Sequence, residues 1–467
     1  MKLKERLRGI VAAVATAALA LSVAPVTAMA AEIPGTGSIK VTGLVTGDQI
    51  SVYKVAETET DKYNQLVNTW LIDNSDDQLP DINNNTGGAF SADVANLVAT
   101  LASNLGVAGT GTADVNGEAT VDNLDAGLYL VKVTNDSDAT RVYQNTLIPV
   151  VPKDSNKNGS FDSGDTWETQ AKNIKYSKTG IEKQVKEGDD VYADSIDTLG
   201  YGDTADFKLT VTVPKYASNA SARTFTVTDA IQDAYFDLNT LSADGVFVSA
   251  SDVDLEKGTD YTVSYDSASG LLTVDFTNTG LEKLAAVETV EITYSVMVDA
   301  TQPGHVENLN TATLNFSKNS YGTETEDDSD TVAGTFYALQ IKKVDEDDNP
   351  LAGAEFEVTG DNGKMGGTLT SAANTGLTDM VIVGNGDVYS IDETKAPAGY
   401  SVANIEDVTI DGEDAEDYVI TLTVTNTLDT ASILPSTGGT GTVALTVVGV
   451  GLMAGAAFLV MRSRKEN

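Results

Sequence analysis

The chain has 467 residues, with 69 Asp and Glu against 29 Lys and Arg, a formal charge of −40, no cysteine and a single histidine. A surface this acidic repels phosphate backbones and anionic membranes, so nucleic-acid binding is disfavoured, whereas solubility and divalent cations are favoured. Without cysteine there is no disulfide brace, thiol nucleophile or zinc–thiolate site, and His305 alone leaves little for Ser-His-Asp catalysis or a histidine metal centre.

At the N-terminus, Lys2, Lys4, Arg6 and Arg8 precede an apolar stretch from Ile10 to Val23 and the small-x-small site Ala28-Met29-Ala30, which reads as a cleaved signal peptide over 1–30. At the other end, Leu434-Pro435-Ser436-Thr437-Gly438 is followed by an apolar run, Val443 to Met461, long enough to cross a bilayer as a helix. Arg462, Arg464 and Lys465 then place the C-terminus on the cytoplasmic side. In that order the parts read as a cell-wall sorting signal over 430–467, and the compartment they predict is the outer surface of a Gram-positive-type cell. Residues 31–429 are too many for one ordinary core and predict three domains, over 31–175, 176–334 and 335–429.

The local pattern is β. Stretches such as Phe207 to Val213, Phe225 to Thr228, Leu272 to Phe276 and Val287 to Val298 alternate Val, Thr and aromatics between Gly, Asn and Asp, as strands of sandwiches with one buried face do. In the first domain, Val94, Leu97, Val98 and Leu101 recur at helical spacing and predict one amphipathic helix near 91–105. Behind Lys153, the segment Asp154 to Asp165 sets oxygen side chains at alternate positions around Gly159, so Asp154, Asn156, Asn158, Asp162 and Asp165 form a calcium-loop pattern. Its last ligand is Asp rather than the longer Glu, no flanking helices are evident, and a metal-free Asn/Asp/Gly turn is the equal alternative. The acidic run from Glu324 to Asp330 reads as a solvated turn, and His305 as a structural loop residue.

The third domain contains Ile341-Lys342-Lys343-Val344-Asp345, Pro350 to Phe356, Tyr389 to Tyr400 with Glu393 inside it, and a closing Val424-Thr425-Asn426. These resemble the collagen-adhesin B-type immunoglobulin-like domains of Gram-positive surface proteins. With the sorting signal, the chain resembles the major shaft subunits of sortase-assembled pili. The resemblance implies an all-β chain of three tandem immunoglobulin-like β-sandwich domains with a transmembrane sorting helix. It also implies a spontaneous isopeptide bond between a strand lysine and an asparagine, assisted by a carboxylic acid. Burial depresses the lysine pKa and raises that of the acid, so the amine becomes nucleophilic, the acid polarises the carboxamide, and ammonia leaves.

By match to the motif, Lys343, Glu393 and Asn426 take these roles in the third domain. Lys342 is the alternative nucleophile, on the opposite face of the strand, and Lys343 is preferred because it shares the face of Ile341. Lys183, Asp229 and Asn310 take the roles in the second domain, with Lys178 and Asn308 as competitors. The first domain has Gly127 to Val131 as the corresponding strand without its glutamate; Lys40 or Lys54 with Asn145 is a guess, and no bond is predicted there.

Leu147 to Asp154 resembles the pilin motif, although Val151 and Asp154 replace its usual tyrosine and asparagine. The resemblance implies that Lys153 attacks Thr437 of another subunit after cleavage between Thr437 and Gly438. The implied partners are a pilin-class and a housekeeping sortase, further copies of the chain, minor tip and base pilins, and peptidoglycan, with no cofactor required and calcium as the one candidate. The rival expectation is a monomeric wall-anchored adhesin for a host glycan or matrix protein. An enzyme is disfavoured by the absent cysteine and the solitary histidine; so acidic a chain leaves the paired carboxylates of a glycosidase open, with no specific pair standing out.

Overall fold

The structure is a computed structural model describing residues 32–429 apart from 62–64, 74–77, 84–89, 136, 158–159, 162–164, 221–222, 361–362 and 364. The expected signal peptide over 1–30 and the whole sorting signal, with Leu434, Pro435, Ser436, Thr437 and Gly438, lie outside the described residues. Among those described, no helix is long and apolar enough to cross a membrane. The fold is all-β, as expected, in three tandem sandwich units.

In the first unit, strand Gly37–Thr42 lies between Ala119–Leu124 and the parallel Thr169–Asn173. Its Ile39 and Val41 pack on Ile50, Val52 and Val131 of a second sheet built around Gln49–Thr60 and Gly127–Asn135. The expected helix is present at Ala92–Leu101, capped by the Ser91 hydroxyl, which accepts a hydrogen bond from the Val94 N–H. Its Val94, Leu97 and Val98 cover Val55, Leu128, Leu130 and Leu147, so the second sheet is buried on both faces.

In the second unit, Gly180–Glu187, Thr204–Thr212 and Thr289–Val298 form one sheet, and Phe225–Ile231, Leu271–Phe276 and Gly304–Ser317 belong to the other. Alternation decides what goes inside: Ala205, Phe207, Leu209 and Val211 are buried on Thr204–Thr212, and their neighbours are not. Each buried Phe or Leu is worth about 1.5–3 kcal/mol over exposure.

The third unit sets Val381–Val383 and Val419–Thr425 on either side of one long strand. These face a sheet of Met365–Thr370, Glu355–Gly360, Val388–Lys395 and Val408–Thr409 across Leu339, Ile341, Phe356, Val358 and Ile391.

That long strand, Thr325–Val344, has 20 residues and serves both units, pairing first with Gly304–Ser317 and then with the third-unit strands. The expected boundary at 334/335 therefore falls inside one continuous strand, with no linker. A loop contact braces the junction: Asn385 Nδ2 donates to Asp197 Oδ2 at 2.9 Å, and a Cβ on Gly384 would meet the Thr198 carbonyl oxygen at 1.8 Å. At the first junction, Tyr176–Lys178 pairs back with Arg141–Tyr143. Asp93 of the helix accepts from the Ser218 N–H and hydroxyl, both at 2.8 Å, and buried Lys132 places its ammonium 4.1 Å from the Tyr321 ring centre.

Two expectations change. The acidic run is the start of the long strand rather than a solvated turn, because its side chains find partners on the neighbouring segment: Asn315 Nδ2 donates to Asp327 at 2.6 Å, and Lys318 pairs with Glu326 at 2.9 Å. His305 lies in strand Gly304–Ser317 rather than in a loop, with its Nδ1 3.0 Å from the Thr335 hydroxyl.

Candidate cross-linking and linkage sites

In the second unit the structure brings Lys183, Asp229 and Asn310 together inside the sandwich. Lys183 is at an inward position of Gly180–Glu187, Asp229 is on Phe225–Ile231 and Asn310 is on Gly304–Ser317, so the amine comes from one sheet and its two partners from the other. The pairing of Gly304–Ser317 with the long strand slips between Val306 and Asn310, a bulge after which Leu309 and Asn310 are both buried. Lys183 Nζ donates to Asp229 Oδ2 at 2.5 Å, and both side chains are fully buried. Desolvation pushes the Lys183 pKa down, against the pull of Asp229, and pushes the Asp229 pKa up.

A fourth side chain was missed by the sequence reading. The Tyr294 hydroxyl donates to Asp229 Oδ2 at 2.7 Å, accepts from Asn310 Nδ2 at 2.7 Å and lies 3.1 Å from Lys183 Nζ. Burial raises its own pKa well above the ordinary tyrosine value. A signal for it existed: Tyr294 shares the inward alternation of Val290, Ile292, Val296 and Val298, a lone phenol among aliphatics. Asp229 Oδ1 and Asn310 Oδ1 are buried without a hydrogen-bond partner. The competitors Lys178 and Asn308 are exposed.

In the third unit Lys343 lies on the long strand, Asn426 follows directly on the neighbouring strand Val419–Thr425, and Glu393 reaches them from the other sheet. Lys343 Nζ donates to the Val424 carbonyl at 2.8 Å and lies 3.9 Å from Glu393 Oε1. Asn426 Nδ2 donates to the same Oε1 at 2.8 Å, and the Ala403 N–H holds Oε2 at 2.6 Å. Burial lowers the Lys343 pKa to about 8, opposed by Glu393. Lys342 is exposed, on the other face.

The first unit separates the residues guessed there. Lys40 pairs with Glu118 at 2.6 Å and Lys54 with Glu57 at 2.5 Å, whereas Asn145 lines a cleft of about 300 Å³ against the second unit. Lys153 is different again: its side chain is 62% exposed, pairs with Glu168 at 2.7 Å, and sits where the chain bridges to Thr166 between Thr146–Val150 and Thr169–Asn173. Of the calcium-loop residues, Asn158 and Asp162 lie outside the described residues. Asp165 Oδ1 accepts from the Ser155 N–H at 2.9 Å, and no group of three His, Cys, Asp or Glu that could hold a metal ion occurs among the described residues.

Residues 337–427 match the prealbumin-like fold domain family SpaA, and residues 431–467 match the LPXTG cell wall anchor motif. A search of curated proteins finds no match to the chain. Among solved structures, the chain is similar to the T6 backbone pilin of Streptococcus pyogenes serotype M6, with TM-score 0.61 and 21% identity over 82% of this chain and 81% of that one. It is also similar to the major pilin SpaD of Corynebacterium diphtheriae, with TM-score 0.55 and 19% identity over 84% and 97%. A third is the major pilin SpaA of the same organism, whose structure points to a modular pilus assembly with stabilizing isopeptide bonds, at TM-score 0.50 and 15% identity over 84% and 100%. The third unit is thus a SpaA-type prealbumin-like domain, on a chain that has the fold of Gram-positive major pilins and carries an LPXTG anchor to the cell wall.

Proposed function

We propose that the chain is the shaft subunit of a covalent pilus, polymerised through Lys153 and Thr437 and braced by two internal Lys–Asn isopeptide bonds. The observation that carries this reading is how the chain sorts its lysines. Lys183 and Lys343 have no exposed side-chain surface and each stands beside an acid, whereas Lys153 is exposed. Only the first kind suits an internal bond, and only the second can meet another subunit.

In the second unit, Lys183 Nζ gives a proton to Asp229 and attacks Cγ of Asn310. The Nζ–Cγ bond forms and the Cγ–Nδ2 bond breaks; the carboxyl passes its proton to Nδ2, which leaves as ammonia, and takes up the second proton that Nζ sheds, so Asp229 ends protonated. Protonation of Asp229 turns an orphaned acceptor into a donor toward the Asn310 carboxamide, and Tyr294 orients both groups. In the third unit Glu393 stands between amine and amide and relays the proton in the same way. Between subunits, a sortase thiol displaces Gly438 and holds Thr437 as a thioester; the Lys153 amine then displaces the thiol.

Co-expression with a pilin-class sortase tests the polymer. A ladder of covalent multimers in wild type that disappears in Lys153→Arg, with wall attachment of the monomer retained, is the expected result. A ladder that persists overturns Lys153 as the acceptor. Wild type that only ever appears as a wall-bound monomer favours the adhesin.

A further inference from the structure

We propose that Asp328 and Asp330 are positioning residues for the Lys183–Asn310 bond, holding the lysine strand in register against the sheet that carries the asparagine. This rests on the cross-link reading above. Gly180–Glu187 is an edge strand, paired on one side with Thr204–Thr212, which leaves the outward N–H groups of Ile181, Lys183 and Val185 to find acceptors elsewhere. The Val185 N–H donates to the Ala193 carbonyl at 2.9 Å. The Ile181 N–H donates to Asp328 Oδ2 at 3.0 Å and the Lys183 N–H to Asp330 Oδ2 at 2.7 Å. Both carboxylates project from the long strand Thr325–Val344, which is the next strand to Asn310 in the opposite sheet, with Asp330 opposite Ala312 and Val332 opposite Asn310.

Two carboxylates spaced two residues apart thus grip two amides spaced two residues apart, and side chains supply across the open edge of the sandwich the ladder that no backbone supplies. Because strand side chains repeat every second residue, the smallest slip that keeps Lys183 facing inward is two residues, about 6.6 Å along the strand. Such a slip takes the amine away from Asn310. The charge of Asp330 also acts on the amine itself, favouring its protonated form against the burial that opposes it. The grip therefore places the nucleophile at some cost to its reactivity. An acceptor at position 330 is needed for geometry, and its charge is not.

Peptide mapping of the full chain, expressed without sortase, reads the outcome as a cross-linked pair lighter by one ammonia, about 17 Da. In Asp328→Ala/Asp330→Ala the Lys183–Asn310 pair is expected to form about 10²-fold more slowly, the loss that ångström-scale misplacement brings, while the Lys343–Asn426 pair in the same molecule forms fully. Asp330→Asn keeps an oxygen for the Lys183 N–H but removes the charge; it is expected to restore cross-linking, with the pH midpoint of the rate moved below that of wild type. Formation at the wild-type rate in the double variant overturns the proposal. If the double variant loses the third-unit pair as well, and so has not folded, failure of the Lys183–Asn310 pair to form in Asp330→Asn, with the third-unit pair present, overturns it. Wild type without a Lys183–Asn310 pair sinks the cross-link reading instead. Hydrogen exchange then decides the grip: Ile181 and Lys183 amides protected in wild type and Asp330→Asn support it, and rapid exchange in wild type overturns it.

Discussion

Replacing Lys343 by Met removes the third-unit cross-link, because methionine fills much of the buried stem and, like the amide of the cross-linked lysine, puts no cation beside Glu393. The bond would close the chain between positions 343 and 426, and loop-closure entropy assigns a cross-link over that span about 4.5 kcal/mol. Spread over a domain of this size, that corresponds to a fall of about 20 °C in the melting temperature. Calorimetry of the full chain is expected to show the third-unit transition displaced by that amount while the second-unit transition stays, since the long shared strand keeps its pairing with Gly304–Ser317. The matching digest should lack the Lys343–Asn426 pair. A displacement below about 5 °C, with the pair present in wild type and absent in the variant, would refute the argument that unfolded-chain entropy is what the bond removes.

Tyr294→Phe removes three polar contacts without changing the ring that stacks 5.2 Å from Phe207, so the second-unit cross-link is expected to form about tenfold more slowly, equivalent to about 1.4 kcal/mol of barrier. An unchanged rate would leave Tyr294 a packing residue only. Glu187, half-buried beside Thr198, Asp203, Asp387 and Asp190 at the second junction, has its pKa raised by burial from 4.5 to about 7. The folded state therefore holds a proton that the unfolded state releases: the stability this confers is complete below about pH 4.5 and is lost as pH rises through about 7. The melting temperature of wild type relative to Glu187→Gln should accordingly fall between pH 5 and pH 8, and a difference independent of pH would contradict this placement of the carboxyl.

Much of the fold was legible because two periodicities carry it. Alternation in Phe207 to Val213 or Val287 to Val298 is a local property of a half-buried strand, and the spacing of Val94, Leu97 and Val98 is that of a helix face, so these elements appeared where they were read. The acidic stretch was misread because its logic is not local. Asp328 and Asp330 are carboxylates in a strand for the sake of amides 147 residues away, and charge in a sequence window does not reveal such partners. Tyr294 was overlooked for a related reason: an inward phenol looks like core until the acid and amide it joins are seen on the opposite sheet.

The amino-acid sequence by itself determined the address and the inventory. An export signal and an anchor are read as linear segments, and motif and parity on a strand picked Lys343 over Lys342. Only the tertiary structure decided which groups meet. It put one lysine within 2.5 Å of its acid and another 3.9 Å from its own, left Lys153 outside, separated Lys40 and Lys54 from Asn145, and ran one strand through two units. The physical reason is that a strand's pattern records which face is buried, whereas the partner across the sandwich depends on sheet order and register, set by contacts between residues far apart in the chain.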